Sequence, residues 1–339
     1  MSASDGVELG RTSGGGQAAA LRQQEWPNPA AHAFDDVEAV PGVGKPDPIL
    51  VADGVQRTFG GLRAVDVEHL EVQRGAITAL IGPNGAGKTT FFNLLTNFDK
   101  PNAGRVEFDG ADATGVSSHK LATKGMVRTF QLTKVLAKMS VLDNMMLAGQ
   151  NQVGESMWRG LIGGWGAQEA DIRARALEVL DNFNMTHMSD EFAGALSGGQ
   201  RKLLEMARSL MADPKLIMLD EPMAGVNPAL TQSLLGHVKR LRAEGITVMF
   251  VEHDMDVVAD ISDWVIVMSE GIIIAEGPPS TIGANPAVQD AYLGSAHAAL
   301  TEEIQEIVAE IEEGSAHTVD THVDHDPADA IDTEDDGDG

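Results

Sequence analysis

The sequence predicts an α/β fold, and three observations predict it. From about residue 49 short apolar runs alternate with helical patterns, the order that places helices against a sheet. Several of these runs stop at polar residues or a glycine-rich turn. One such turn leads straight into a helical segment.

Ile49-Leu50-Val51 marks where order is expected to begin, and Ala76 to Ile81 reads as a buried strand ending in the glycine-rich turn. Leu216 to Leu219 and Ile246 to Val251 read as two more strands, each followed by polar residues. Trp264 to Met268 and Gly271 to Ile274 flank Ser269-Glu270, the pattern of a hairpin. Between about 135 and 212 the period becomes helical, and Ile172, Ala176, Leu180 and Phe183 share one apolar face. Within that region residues 150–166 hold Trp158, Leu161, Ile162 and Trp165 among glycines. This stretch fits a surface loop folded onto its own domain, or a contact for a membrane partner. Residues 1–47, rich in Gly, Ala, Ser, Gln and Pro, are expected to be a disordered lead-in. Residues 296–339 form an acidic tail in which Leu300 to Ile311 has the spacing of a short amphipathic helix.

Composition narrows the classes. The chain has 339 residues and a hydrophobic fraction of 43%, enough for one large domain with tails. No apolar run approaches the ~18–20 residues that span a bilayer, and the start lacks the pattern of a secretory signal. Cysteine is absent, which excludes disulfides, thiolate metal sites and cysteine nucleophiles. The net charge of −27, from 51 acidic and 24 basic residues, opposes broad contact with nucleic acid or anionic lipid. Part of it lies in residues 320–339, which contain no Lys or Arg. The remainder fits a surface adapted to a salt-rich cytoplasm.

Three stretches carry chemistry. Gly82-Pro83-Asn84-Gly85-Ala86-Gly87-Lys88-Thr89-Thr90 matches the phosphate-binding pattern G-x-x-x-x-G-K-[ST]. Its glycines let backbone N–H groups surround phosphate oxygens, and the following helix aims its positive end at the same anions. Lys88 is expected to reach the outer phosphates of ATP, and the Thr89 hydroxyl to ligate Mg²⁺. The strand Leu216 to Leu219 ends in Asp220-Glu221. A carboxylate at that strand end can hold Mg²⁺, which assigns Asp220 to the metal, and Glu221 can take a proton from the attacking water. Third, Leu196-Ser197-Gly198-Gly199-Gln200 precedes an apolar-periodic segment. Ser197 reads as a helix N-cap, and Gly198 and Gly199 clear space for an anion at the helix's positive end.

Leu196 to Gln200 reproduces the signature sequence of ABC ATPases, and the chain resembles that family over roughly residues 48–295. The resemblance implies a P-loop NTPase (RecA-like) cassette with an antiparallel β subdomain and a helical subdomain at about 132–212. It implies further roles. Gln131, closing Val127-Arg128-Thr129-Phe130-Gln131, resembles the glutamine that senses Mg²⁺ and faces the transmembrane partner. His253, in Val251-Glu252-His253-Asp254, resembles the switch histidine at the γ-phosphate, and Phe59 stands where the family stacks an aromatic on adenine. The family usually carries an aspartate where Asn227 stands. That variant, with residues 127–131 and 285–294, resembles the branched-chain amino-acid uptake branch; Asn97 departs from that branch, which usually has glycine after Thr96.

In such a family two cassettes, identical or sister chains, dock head to tail. ATP is then held between one subunit's phosphate loop and the other's signature helix. The resemblance implies an ATPase at the cytoplasmic face of the cell membrane, bound to permease subunits and served indirectly by an extracytoplasmic binding protein, with no nucleic acid partner. Two other readings stand beside it: a soluble ABC ATPase acting on nucleic acid or ribosomes, and the ATPase of a lipid or lipopolysaccharide exporter.

Overall fold

The computed structural model describes residues 26–129, 135–149 and 165–293. Its strands alternate in the way the sequence pattern requires. In β3 (Ile77–Ile81) every residue is buried. Ile77, Ala79 and Ile81 enter one apolar cluster, and Leu80 enters another on the opposite face. The same division runs through β7 (Leu216–Asp220) and β8 (Thr247–Val251). A sheet buried on both faces needs continuous apolar runs, which these segments supply.

Two sheets result. β1 (Pro48–Phe59), β2 (Leu62–Gln73), β4 (Ala103–Phe108) and β5 (Ala111–Asp112) form an antiparallel sheet in the order β2-β1-β4-β5. β6 (Met126–Arg128), β9 (Trp264–Ser269) and β10 (Ile272–Gly277) complete a six-stranded sheet ordered β10-β9-β3-β8-β7-β6. In it β9, β3, β8, β7 and β6 run parallel, and β10 is antiparallel to β9. Helix α1 (Lys88–Leu95) buries Phe91, Phe92, Leu94 and Leu95 in the cluster that joins the two sheets. The remaining helices are α2 (Ser118–Thr123), α3 (Val141–Leu147), α4 (Trp165–Asn182), α5 (Gly198–Leu210), α6 (Pro228–Ala243), α7 (Met255–Ile261) and α8 (Pro279–Ile282). Helices α3 to α7 contribute to the cluster on the other face of the six-stranded sheet. Ala176 and Leu180 of α4 are fully buried there, with Ile172 packed against the cluster.

The lead-in expected to be disordered through residue 47 is corrected over residues 26–47. Phe34 stacks on Trp264 with ring centroids 4.7 Å apart, and Asn28 donates to Asp263 at 2.8 Å. Lys45 is buried beside Glu276, its Nζ 2.9 Å from the carboxylate and 4.7 Å from the Trp264 ring centroid. A few anchors hold an otherwise aperiodic segment whose composition alone suggests disorder. The tail at 296–339, the 300–311 helix, residues 1–25 and residues 150–164 lie outside the described residues.

Two asparagines from the family comparison acquire local explanations. Asn97 takes a left-handed φ of 50°, the conformation glycine adopts at least cost. Its amide also donates to the Ala113 carbonyl at 2.6 Å, and its oxygen accepts from Gly115 N–H at 3.1 Å. Asn227 is the N-cap of α6 and accepts from Leu230 N–H at 3.0 Å.

Helix α6 also carries a buried histidine. His237 stacks on Phe183 at 4.2 Å, and its Nε2 has no hydrogen-bond partner among the described residues. Burial, with Arg240 nearby, pushes its pKa down to about 4 from 6.5. The unfolded chain therefore takes up this proton below pH 6.5, while the folded chain resists until about 4. The associated stability is complete above 6.5 and is lost as pH falls through that window. At about 1.4 kcal/mol per pH unit the loss is on the order of 3 kcal/mol. His237→Phe is expected to flatten the fall in urea-unfolding free energy between pH 6.5 and 4; an identical fall in both proteins would contradict this.

Candidate functional site

Parallel pairing brings three loops to one edge of the six-stranded sheet. β8 lies between β3 and β7, with Leu80 level with Val251 and Asp220 also level with Val251. The residues that follow these strand ends are Gly82 to Lys88, Glu221 to Asn227, and Glu252 to Asp254. Strand spacing places the outer two loops roughly 10 Å apart at the backbone. In open α/β sheets the carboxyl edge is where ligands bind.

The phosphate loop is shaped by its glycines. A Cβ on Gly82 would stand 2.1 Å from the Met268 carbonyl oxygen, so only glycine permits this approach. Around Gly85, at φ 79°, the space is open. Asn84, Gly85 and Thr89 are exposed, whereas Ala86 is buried. Gly87 caps α1 in a left-handed conformation, and Thr90 follows in its first turn. Lys88 Nζ donates to the carbonyls of Gly82 at 2.7 Å and Pro83 at 2.9 Å. Burial pushes its pKa down, with Glu221 and Asp220 opposing. Open backbone amides, a helix N-terminus and a lysine facing two carboxylates form a cradle suited to a polyphosphate.

Asp220 is buried at the end of β7. One oxygen accepts from Arg128 Nη2 at 2.7 Å, in a pair whose side chains are 9% and 3% exposed. The other, Oδ1, is buried without a hydrogen-bond partner among the described residues. An orphaned carboxylate oxygen beside a phosphate cradle fits a cation or its bound water. Among the described residues no group of three or more His, Cys, Asp or Glu is arranged for a metal. Mg²⁺ suits such a place, because it takes one or two carboxylates and completes its shell with substrate oxygens and water.

Arg128 was not evident as a site residue. It also bonds Asn93 Oδ1 at 2.6 Å, tying the end of β7 to α1. Gln131, expected at the metal, lies outside the described residues.

Glu221 adopts φ 47°, a left-handed conformation that costs a non-glycine residue of order 1 kcal/mol or more. Its N–H donates to the Val251 carbonyl at 3.1 Å. Glu252 is a second residue the sequence reading passed over. It is buried, accepts from Met223 N–H at 2.9 Å and from His253 N–H at 3.3 Å, and so joins the turn after Glu221 to the loop of His253. Burial raises its pKa, against the pull of those two N–H groups. The His253 side chain is largely exposed, its Nδ1 3.8 Å from Glu252.

Phe59 ends β1 and is 47% exposed, so it is not a core residue. The Arg57 guanidinium lies 4.5 Å from its ring centroid and pairs with Asp99 at 3.0 Å.

Ser197 caps α5 as expected. Its oxygen accepts from Gln200 N–H at 3.3 Å while Gln200 Oε1 accepts from Ser197 N–H at 2.8 Å, a reciprocal capping box. The glycines divide their work. Gly198 faces open space, but a Cβ on Gly199 would lie 1.6 Å from Leu230 Cδ2. A side chain at the second glycine would therefore have to displace Leu230, so Gly199 also serves the approach of α5 to α6.

A polyphosphate cradle, a strand-end aspartate and an adjacent glutamate on a doubly buried parallel sheet define a P-loop nucleotide-binding ATPase. Comparison makes this specific. The ABC transporter family profile matches residues 65–224, and a branched-chain amino acid ATP-binding cassette transporter profile matches residues 273–298. A probable branched-chain amino acid transport ATP-binding protein LivG of Archaeoglobus fulgidus is 41% identical over 247 residues, covering 73% of this chain and 96% of that protein. The high-affinity branched-chain amino acid transport ATP-binding protein BraF of Pseudomonas aeruginosa is 40% identical, covering 74% and 99%. A crystal structure of a nucleotide-free ATP-binding cassette from an ABC transporter aligns with a TM-score of 0.64 and 38% identity, over 72% of this chain and 98% of that one. Another such cassette, in its ADP conformation, aligns with the same TM-score at 37% identity, over 73% of this chain and 99% of that one. The chain belongs to the ATP-binding, ATP-hydrolysing subunits of ABC transporters.

Proposed function

We propose that this chain powers import of branched-chain or related amino acids. The observation that carries the reading is the carboxyl-edge cluster of Lys88, Asp220 and Glu221, in a chain whose similar relatives are named for branched-chain amino acid transport. Phe59 offers a ring face to adenine, with Arg57 packed on that ring. Gly82 to Lys88 bind the phosphates through loop amides and the Lys88 ammonium. Thr89, Gln131 and Asp220 hold Mg²⁺, which supplies positive charge to the phosphate oxygens when bound. Glu221 accepts a proton from the attacking water, and His253, on the adjacent loop, contacts the γ-phosphate.

Ser197, with Gly198 at the open end of α5, caps the nucleotide held by a second cassette, identical or sister. Lys88 and Ser197 of one chain thus serve different nucleotides. Closure of the pair on ATP and its release after hydrolysis form a binding-driven switch passed to permease subunits at the cytoplasmic face of the membrane. An extracytoplasmic binding protein acts one step removed. Among the described residues no helix is long and apolar enough to cross a membrane, which fits a subunit that relies on separate permeases.

The test is copurification of the tagged chain from native membranes, followed by ATPase assay in proteoliposomes with the recovered binding protein. Two permeases and stimulation by leucine, isoleucine or valine are expected. Recovery with ribosomes, or stimulation by lipid alone, would refute the uptake reading.

A further inference from the structure

Lys202 lies in the second turn of α5, the helix capped by Ser197. Its Nζ donates to three backbone carbonyls: Pro222 at 3.0 Å, Glu221 at 3.4 Å, and Ala224. An ammonium has three donors and no acceptor, so three carbonyls match its full capacity. All three belong to the turn that leaves β7 and contains the left-handed Glu221. Burial pushes the Lys202 pKa down, with the Glu252, Glu205 and Glu221 carboxylates opposing.

The turn's other ties come from different directions. Glu221 N–H bonds Val251 on the neighbouring strand, and Met223 N–H bonds Glu252. Lys202 ties the turn to the signature helix. A cavity of about 20 Å³ lined by Lys202, Asp220 and Glu221, among others, adjoins the turn, room for about one water. Met223 anchors the turn in the apolar core, and beside the cavity the three bonds from Lys202 add a second hold.

We propose that Lys202 is a positioning residue for hydrolysis, pinning the turn that carries Glu221 to the signature helix and so fixing where the Glu221 carboxylate stands. The proposal rests on Glu221 being the base. It also makes the Ser197 end of α5 and the Glu221 turn one mechanical unit, so displacement of the helix by a nucleotide displaces the base.

The test is a double-mutant cycle in the full-length protein, with kcat, KM for ATP and ATP affinity measured for Lys202→Met, Lys202→Gln, Glu221→Gln and Lys202→Met/Glu221→Gln. A misplacement of about 1 Å costs ~10²-fold in rate, so Lys202→Met is expected to lower kcat by about that factor with KM and ATP affinity within about threefold. Lys202→Gln, which keeps an N–H donor, is expected to retain more turnover than Lys202→Met. In the Glu221→Gln background the methionine substitution is expected to cost less than about threefold, since the group it positions is gone. An unchanged kcat in Lys202→Met, equal losses with Met and Gln, or losses that multiply in the double variant would overturn the proposal. An unchanged kcat in Glu221→Gln alone would instead refute the base assignment.

Discussion

Glu221→Gln is expected to lower kcat for ATP hydrolysis by about 10²- to 10⁴-fold, the range a general base contributes, while ATP affinity stays within about threefold. Glutamine keeps the size of glutamate and leaves the backbone bonds of the turn in place, including the 3.1 Å bond to Val251 and the contacts from Lys202. It removes only the carboxylate proposed to take the water's proton. Lys88 and the loop amides, proposed to bind phosphate, remain, with Lys88 held at the Gly82 and Pro83 carbonyls. Steady-state hydrolysis with a fluorescent-nucleotide titration separates the two quantities. Turnover near the unsubstituted rate would move the base elsewhere, and a parallel loss of affinity would make Glu221 a binding group.

Lys45→Met is expected to destabilise the fold by about 3–5 kcal/mol, the cost of removing one partner from a buried ion pair. Lys45 and Glu276 side chains are each 1% exposed. Glu276 accepts from Gly42 N–H at 2.5 Å, Val43 N–H at 3.1 Å, Trp264 Nε1 at 2.8 Å and Lys45 Nζ at 2.9 Å. With the ammonium gone, three neutral donors remain but the carboxylate's charge stays buried without a counter-charge. For a domain of this size the thermal midpoint should fall by about 10 °C. The pair joins the 26–47 segment to the β9–β10 hairpin, so the fall should be accompanied by increased protease cutting near residues 40–45. A midpoint within about 2 °C of the parent would mean that water solvates the site.

The sheet was legible because its strands are buried on both faces. Runs such as Ile77 to Ile81 and Leu216 to Leu219 leave no other arrangement at their length. The phosphate loop and the capped signature helix were legible because each is local, all its determinants falling within nine consecutive residues. What escaped the sequence is long-range. Arg128 meets Asp220 across 92 positions, and Lys45 meets Glu276 across 231. No periodicity or spacing records such pairings; they exist only once β6 lies beside β7, or once the lead-in crosses the β9–β10 hairpin. Glu252 carries no signal in the sequence because its two partners are backbone N–H groups, one of them 29 residues away. The packing constraint on the second signature glycine escaped for a related reason. Its close neighbour is Leu230 on α6, which the motif itself does not contain.

The account turns on Lys88 and Ser197 of one chain serving different nucleotides. The direct measurement is Ser197→Arg, assayed both as the isolated chain for ATP affinity and in the complex recovered from membranes for turnover. Ser197 is an exposed N-cap, so an arginine there obstructs the seam without touching the Lys88 cradle. The account predicts ATP affinity within about twofold of the parent in the isolated chain, and loss of turnover by at least about 10²-fold in the complex. Turnover left intact, or affinity lost in the isolated chain, would contradict it.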